Sequence, residues 1–174
     1  MAQDAAAIFA TYAGDPEVTR YLSWLRHTSI AQSSAFIEFS DSEWTRWSAG
    51  PYIIETRNSI LIGGTGFSFQ TAQRAETGYV LARSYWGNGY ATEALKSLIP
   101  IAGELGIRRL YAFCHVRQLA SCRVLEKCEF AREGILRAYA EFPNDKPGQL
   151  QDAIGYARRL GTDPGPVLGL HESR

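Results

Sequence analysis

The sequence has no excess of charge of either sign, and this excludes several classes of partner. Its 174 residues carry 18 Lys and Arg against 18 Asp and Glu, and the isoelectric point is near 6.8. Nucleic acids and acidic membranes are usually bound through clustered Lys and Arg, so neither is expected as the main partner. The longest apolar candidate helix, residues 90–105, is interrupted by charged and polar side chains, so we expect no bilayer-spanning segment.

Cysteine is also scarce. The three residues, Cys114, Cys122 and Cys128, are an odd number, which excludes a full disulfide framework and favours reduced thiols. Their spacing contains no C-x-x-C pair, so we expect buried, inert cysteines and no metal site. Residues 1–18 lack the basic region and the apolar stretch of a signal peptide. The expected location is therefore cytoplasmic.

Length and composition favour one folded domain. A chain of this length can bury about 70% of the surface that its unfolded form exposes, so it needs no metal or disulfide to fold. The 16 Gly and 7 Pro are close to average usage and argue against low complexity. We expect a single domain over residues 1–160 and a loose tail over residues 161–174, where no hydrophobic period is visible.

Hydrophobic periodicity predicts a helical first third followed by strands. The predicted helices are residues 4–13, a run from Asp15-Pro16 that includes Val18, Tyr21, Leu22 and Leu25, and a third that begins at Ser29 or Gln32 and ends near Trp47. Three β-rich runs follow, at residues 52–57, 59–69 and 75–82. Short polar turns separate these runs, so they are interpreted as consecutive antiparallel strands.

The second half alternates between helices and strands. The predicted elements are a helix over residues 90–105 that ends at Gly106, a strand over 109–114, a helix over 118–128, and two closing strands over 130–139 and 151–158. Pro100 lies inside the first of these helices, where it should kink the helix or remove one backbone hydrogen bond. No internal repeat is visible.

The most informative segment joins an apolar strand to an amphipathic helix through Trp86-Gly87-Asn88-Gly89-Tyr90-Ala91. Two glycines in this position can turn backbone N–H groups toward a pyrophosphate at the helix N-terminus; they also suit an ordinary tight turn. A Walker loop is excluded, since Tyr90-Ala91 replaces its Lys-Ser. A dinucleotide-binding fold is excluded because antiparallel strands precede the loop and no acidic residue ends the next strand.

This segment resembles the acyl-CoA pyrophosphate loop of the GNAT acyltransferases, within them the RimJ/RimL-type N-acetyltransferases. Gly89 and Ala91 match the pattern Arg/Gln-x-x-Gly-x-Gly/Ala, and Trp86 takes its first position, as in the Rim-type branch. The resemblance spans about residues 4–160. Its last strand is matched by Asp152, Ala153 and Tyr156. A Rim-type stretch at 115–137 is matched by Ser121, Val124, Leu125, Glu126, Lys127, Phe130, Glu133, Gly134, Leu136 and Arg137.

The resemblance implies a mixed α/β (α+β) fold with a mostly antiparallel central sheet, flanking helices and a splayed strand pair. The family usually opens with a β-strand of roughly ten residues, whereas here Asp4 already begins a helix. We therefore expect the first strand to be truncated or to lie upstream. Gln118 replaces an Asn that commonly binds the pantetheine arm, and Glu129 replaces a Gly.

The resemblance also assigns the cofactor, acetyl-CoA. The strand before the loop is expected to leave its neighbour at a bulge, so that the backbone N–H groups of Val80 and Leu81 hold the thioester carbonyl and the pantetheine. The remaining expected contacts are Trp86, Gly87, Asn88, Gly89, Tyr90, Ala91 and Gln118.

Catalytic candidates are fewer. Many GNAT enzymes place a Tyr acid where this chain has Leu125, so the hydroxyl of Ser121, on the same helical face, is expected to hydrogen-bond the leaving sulfur. The general base is Glu141, slightly favoured, or Glu76; either carboxylate could instead be a solvated surface group.

These expectations describe an N-acetyltransferase that moves acetyl to a primary amine in a ternary complex, plausibly to a protein or peptide N-terminal α-amino group. The alternatives are a small-molecule amine as acceptor, or a non-catalytic acyl-CoA-binding module. The absence of an acidic surface leaves the acceptor open, and the chain could be a monomer or a homodimer.

Overall fold

The computed structural model describes residues 2–161, which begin with helices. Helix α1 (Ala2–Ile8) continues as a wider π-helical turn over Phe9–Ala13 and is followed by α2 (Pro16–Thr19) and α3 (Ile30–Trp47). The predicted helical first third is therefore confirmed. The predicted tail lies outside the described residues from 162 onward.

The second predicted helix is much shorter than expected. Its apolar residues Tyr21, Leu22 and Leu25 lie beyond the end of α2, in an irregular segment. The side chain of Asn144, 120 residues further along the chain, donates to the carbonyl oxygens of Thr19 and Trp24 at 2.9 and 2.8 Å. These tertiary hydrogen bonds use carbonyl groups that a longer helix would need for its own backbone bonds. The helix therefore ends at Thr19 although the apolar spacing continues.

The sheet has six strands in the order β1-β2-β3-β4-β6-β5. They are β1 (Pro51–Glu55), β2 (Leu61–Thr71), β3 (Arg74–Leu81), β4 (Arg109–His115), β5 (Ala131–Glu141) and β6 (Leu150–Arg159). Only β3 and β4 pair in parallel. The three predicted antiparallel strands are confirmed within about two residues at each end, as are the closing strands. Within residues 2–161, no strand precedes α1.

Two further helices, α4 (Tyr90–Glu104) and α5 (Leu119–Lys127), connect β3 to β4 and β4 to β5. Helix α4 continues through Pro100 without a break. It ends at Glu104, and Gly106 closes it: this residue has φ +77°, its N–H donates to the carbonyl of Gly103, and the N–H of Ile107 donates to that of Ala102. This pair of bonds is a Schellman motif, which requires a left-handed residue.

Strands β3 and β4 separate soon after they meet. Their pairing covers only Arg74–Glu76 against Arg109–Tyr111, and beyond it β3 continues to Leu81 and β4 to His115 without a shared ladder. The splayed pair is therefore confirmed. The bulge expected there lies elsewhere: the β2–β3 register shifts between Phe69 and Thr71, at the opposite end of β3 from Val80.

Each face of the sheet has its own apolar core. On one face, α4 and α5 pack over the larger cluster, which includes Leu95, Leu110 and Leu125. On the other face, the helical N-terminal region forms a smaller cluster of Ile8, Tyr12, Ala13 and Val18, against which Val80 packs. Successive side chains of β3 point to opposite faces, so this strand contributes side chains to both faces of the sheet beside the gap. No described helix has the length and apolarity needed to cross a membrane.

Candidate active site

A cavity of about 1000 Å³ occupies the gap between β3 and β4 and extends to both faces of the sheet. Its wall includes the glycine loop before α4, the first turns of α5, and side chains of α1 and α3. The described structure thus brings the predicted cofactor loop, Ser121 and Glu76 to one cavity. A substrate on each face could meet at the gap.

The loop before α4 has the backbone geometry of an anion site. Gly87 and Gly89 have φ values of +78° and +87°, and Gly89 is the N-cap of α4 without a side-chain cap. A Cβ at either position would meet no atom within 4 Å, so the positive φ, and not crowding, is what favours glycine. The indole Nε1 of Trp86 donates to the carbonyl of Leu81 at 2.7 Å and ties the loop to β3. The N-terminal N–H groups of α4 are therefore free to bind phosphate oxygens.

The end of β3 offers backbone donors to the gap. The N–H of Ala82 donates to the carbonyl of Ile62 at 2.9 Å, so Ala82 faces β2. Ladder bonds alternate along an antiparallel pair, which gives Val80 the same role opposite Gly64 and turns the N–H groups of Tyr79 and Leu81 toward the gap. Of the two predicted contacts, Leu81 therefore has the N–H directed to the cavity, while Val80 contributes its side chain.

Helix α5 presents polar groups to the same cavity. Gln118 is the N-cap and Ser121 follows in the first turn; both line the cavity, and neither side chain has a hydrogen-bond partner among residues 2–161. The hydroxyl of Tyr79 donates to the backbone carbonyl of Ser121 at 3.0 Å and so bridges β3 and α5. Sequence reasoning did not single out Tyr79, since a Tyr in an apolar strand carries no separate signal.

Glu76 lies where the two strands part. It is the last residue of β3 that pairs with β4, it lines the cavity, and its carboxylate has no hydrogen-bond partner in the described chain. Burial raises its pKa from the ordinary value of 4.5 to about 7. A carboxyl with this pKa exchanges protons readily at neutral pH, which is a property of general bases.

Glu141 occupies a different environment. It is exposed at the end of β5, is not part of the cavity wall, and its carboxylate accepts the N–H of Gly148 at 2.8 Å. That bond closes the loop between β5 and β6, and it gives Glu141 a structural role. The sequence slightly favours Glu141 over Glu76 as the general base, whereas of the two only Glu76 lies in the cavity wall.

Long-range contacts hold one wall of the cavity. The rings of Tyr21 and His115 stack with centroids 4.5 Å apart, and Asp145 binds Arg20 and Arg117 at 3.1 and 2.5 Å. These contacts, together with those of Asn144, fix the segment between α2 and α3 against the β5–β6 loop. No local sequence pattern predicts these contacts, because the partners lie 28 to 125 residues apart in the chain.

Of the three cysteines, Cys114 lines the cavity. All three have free thiols and are buried. Within residues 2–161, no group of three or more His, Cys, Asp or Glu side chains is arranged to hold a metal ion.

Comparisons with known proteins show the family of this chain. A model of the acetyltransferase (GNAT) domain matches residues 1–131. The chain is 36% identical over 146 residues to the uncharacterized N-acetyltransferase YoaA of Bacillus subtilis, covering 79% of each protein.

Solved structures are similar in fold. A RimL ribosomal L7/L12 alpha-N-protein acetyltransferase in complex with coenzyme A superposes with a TM-score of 0.81 at 22% identity, covering 92% of this chain and 90% of that one. A spermidine N-acetyltransferase from Vibrio cholerae in complex with CoA and spermine gives 0.75 at 17%, covering 91% and 90%. With a family model matched over most of its length and a relative above 30% identity, this chain belongs to the GNAT family of N-acetyltransferases.

Proposed function

We propose that the protein transfers the acetyl group of acetyl-CoA directly to a neutral primary amine, with Glu76 as general base. The observation that supports this most strongly is the position of Glu76. It combines an unpartnered carboxylate, a pKa of about 7 and a location at the point where β3 and β4 separate, inside the cavity that also receives the glycine loop.

Acetyl-CoA fits the α4–α5 side of the gap. The uncapped N-terminus of α4 and residues 86–91 would hold its pyrophosphate, while the N–H groups of Tyr79 and Leu81 and the amide of Gln118 would hold the pantetheine and the thioester carbonyl. Backbone dipoles supply this site, so a chain with no net charge can bind a polyanion.

The chemical step needs one proton acceptor and one group that stabilises the leaving sulfur. The nitrogen of the neutral amine attacks the thioester carbon, and Glu76 accepts the proton that this nitrogen loses as the bond forms. Leu81 N–H donates to the oxyanion of the tetrahedral intermediate. When the carbon–sulfur bond breaks, the hydroxyl of Ser121 donates a hydrogen bond to the departing thiolate, and the proton released by Glu76 converts that thiolate to the CoA thiol and restores the carboxylate.

The acceptor separates into two classes. A protein or peptide α-amino group, with a pKa of about 7.7 to 8.0, is easier to deprotonate than an alkyl amine near 10.4. That class remains the acceptor expected from the Rim-type resemblance. A small-molecule amine is favoured by a different observation, the aromatic and glycine-lined inner surface of the acceptor side. We expect a cytoplasmic location, consistent with three free thiols, and either a monomer or a homodimer.

The test is release of CoA thiol from acetyl-CoA in the presence of peptides with free N-termini, polyamines and small amines, with the acetylated product identified by mass. We expect release of CoA thiol with at least one amine. In control reactions without an amine, we expect no release. Binding of CoA without turnover on any acceptor would favour the alternative, a non-catalytic acyl-CoA-binding module. Absence of CoA binding would contradict both.

A further inference from the structure

Three glycines lie beside Glu76 on the acceptor face of the sheet, and of these Gly78 is uncovered, whereas Gly50 lies over Gly66 and the hydroxyl of Tyr12 lies over Gly64. Along β3, Glu76, Gly78 and Val80 point to the same face, and across the pair they lie opposite Ser68, Gly66 and Gly64 of β2. Val80 packs against the cluster formed by the N-terminal helices, which identifies this face as the acceptor side. Between Glu76 and Val80, β3 therefore presents only the backbone of Gly78 to the cavity.

Space above Gly78 is open. Gly78 is exposed, lines the cavity, and a Cβ added there would meet no atom within 4 Å. Gly78 is not in the left-handed region, so neither backbone strain nor crowding requires glycine. A mid-strand glycine with no conformational reason often marks a close approach by a ligand. We call Gly64, Gly66 and Gly78 the glycine floor.

A buried hydroxyl is directed at one end of the glycine floor. A Cβ on Gly64 would lie 3.2 Å from the hydroxyl oxygen of Tyr12. Tyr12 is only 4% exposed, and its hydroxyl has no hydrogen-bond partner among the described residues. Because Tyr12 lines the cavity, this unpartnered hydroxyl can form a hydrogen bond with a ligand atom. Glu76 lies at the other end, about 13 Å away along the strand at 3.3 Å per residue.

Rings and one buried carboxylate surround the glycine floor. Half-buried Trp24 and Phe36 pack with Val80, and Phe113 lies on the facing part of β4. Of the three described carboxylates in the cavity wall, only Glu76 lies on the sheet; Asp4 lies on α1, and Asp41 is exposed on α3. Burial lowers the pKa of His27, so this imidazole adds no charge at neutral pH. The floor is thus largely apolar, and Glu76 is the one described carboxylate of the cavity wall that lies on it.

We propose that the acceptor is a small arylalkylamine, whose ring lies on the glycine floor, whose amine meets Glu76 and whose far end hydrogen-bonds the hydroxyl of Tyr12. This assignment rests on the proposed acetyl transfer and names its substrate class. A linear polyamine would need further carboxylates along the floor, and a peptide would need backbone partners there, whereas the floor presents neither.

The test compares kcat/KM for tryptamine, tyramine, phenethylamine, ethylamine, spermidine and a free N-terminal peptide. We expect the aryl amines to exceed ethylamine by about tenfold or more, since ring burial adds binding energy that the small amine lacks. Tyramine should exceed phenethylamine by about fivefold, and Tyr12→Phe should abolish that difference because it removes one hydrogen bond.

Gly78→Ala provides the steric test and Gly103→Ala the matched control. Gly103 lies on α4, away from the cavity, and an added Cβ there likewise meets no atom within 4 Å. Gly78→Ala should lower kcat/KM for tryptamine by about tenfold and for ethylamine by less than about twofold, while Gly103→Ala changes neither. Thermal melting checks that both variants remain folded.

The outcomes separate this inference from the proposed function. Faster turnover of spermidine or the peptide than of every aryl amine would overturn the arylalkylamine assignment and leave acetyl transfer standing. An equal effect of Gly78→Ala on large and small amines would also overturn it. If acetyl-CoA binds but no amine in the panel is acetylated, the proposed function fails together with the inference.

Discussion

The two sides of the split sheet differ in how their residues are distributed along the sequence. The proposed cofactor side consists of contiguous segments, residues 86–91 and the first turn of α5, in which backbone N–H groups would supply the donors. The proposed acceptor side is assembled from α1, α3, the floor of β2 and β3, and a wall held by Asn144. The first side can therefore be recognised from a sequence motif, whereas the second is formed by residues that lie far apart in the chain. Substitutions on the two sides should affect different substrates.

The largest effect is expected from Glu76→Gln. This substitution lies on the acceptor side and removes the proposed general base of the acetyl-transfer step. Loss of the base should lower kcat by about 10²- to 10³-fold, with little change in the affinity for acetyl-CoA. Steady-state kinetics and CoA titration measure the two quantities. The control is Glu141→Gln, whose carboxylate binds the N–H of Gly148 outside the cavity, and which should keep nearly full kcat. The reverse ranking of the two variants would assign the base to Glu141.

Gly89→Val tests the cofactor side. A β-branched residue at φ +87° costs on the order of 1–2 kcal/mol and should displace the N-terminus of α4, which raises the KM for acetyl-CoA by about thirtyfold. The KM for the amine should stay nearly constant. Gly103→Ala, on the same helix in ordinary helical geometry, should leave both constants unchanged. If Gly89→Val raised only the KM for the amine, the loop would belong to the acceptor side and the assignment to the cofactor side would be wrong.

Asn144→Ala tests the wall of the acceptor side. It removes the donors to Thr19 and Trp24 and the acceptor for the N–H of Arg26, so the segment between α2 and α3 should loosen. We expect the KM for the amine to rise by about tenfold while acetyl-CoA affinity is kept. Gln149→Ala, in the same loop, has an exposed side chain and serves as the control. A change in CoA affinity alone would remove this wall from the acceptor side.

Ser121→Ala should give the smallest effect. One hydrogen bond to the leaving sulfur is removed, so kcat should fall by about fivefold, with little change in cofactor affinity. Ser42→Ala on α3, whose hydroxyl bonds the carbonyl of Phe39, is the matched control and should have no effect. Unchanged turnover in Ser121→Ala would exclude this hydroxyl from the mechanism.

The difference between the two sides also explains what could be predicted from the sequence. The elements around residues 86–91 and Ser121 follow from local periodicity and glycine placement, so their positions were predicted within about two residues. Tyr21 and Leu22 were assigned to a helix because their spacing is helical, and only the bonds from Asn144 show why α2 ends at Thr19.

The two glutamates illustrate the same limit within the site. Glu76 and Glu141 are both carboxylates near strand ends, and their sequence context does not separate them. The short β3–β4 pairing buries Glu76 and raises its pKa, whereas the β5–β6 loop gives Glu141 a backbone partner. Burial and pairing of this kind depend on which strands become neighbours, which no local pattern specifies.

The most direct test of Glu76 as general base is the ratio of kcat/KM between the native enzyme and Glu76→Gln, measured from about pH 5.5 to 8.5. Taking the ratio cancels the ionisation of the amine itself. Because the base acts only when deprotonated, the raised pKa predicts that the ratio increases with pH, reaches half its final value near pH 7 and is constant above. A ratio that does not change with pH across this range would contradict the assignment.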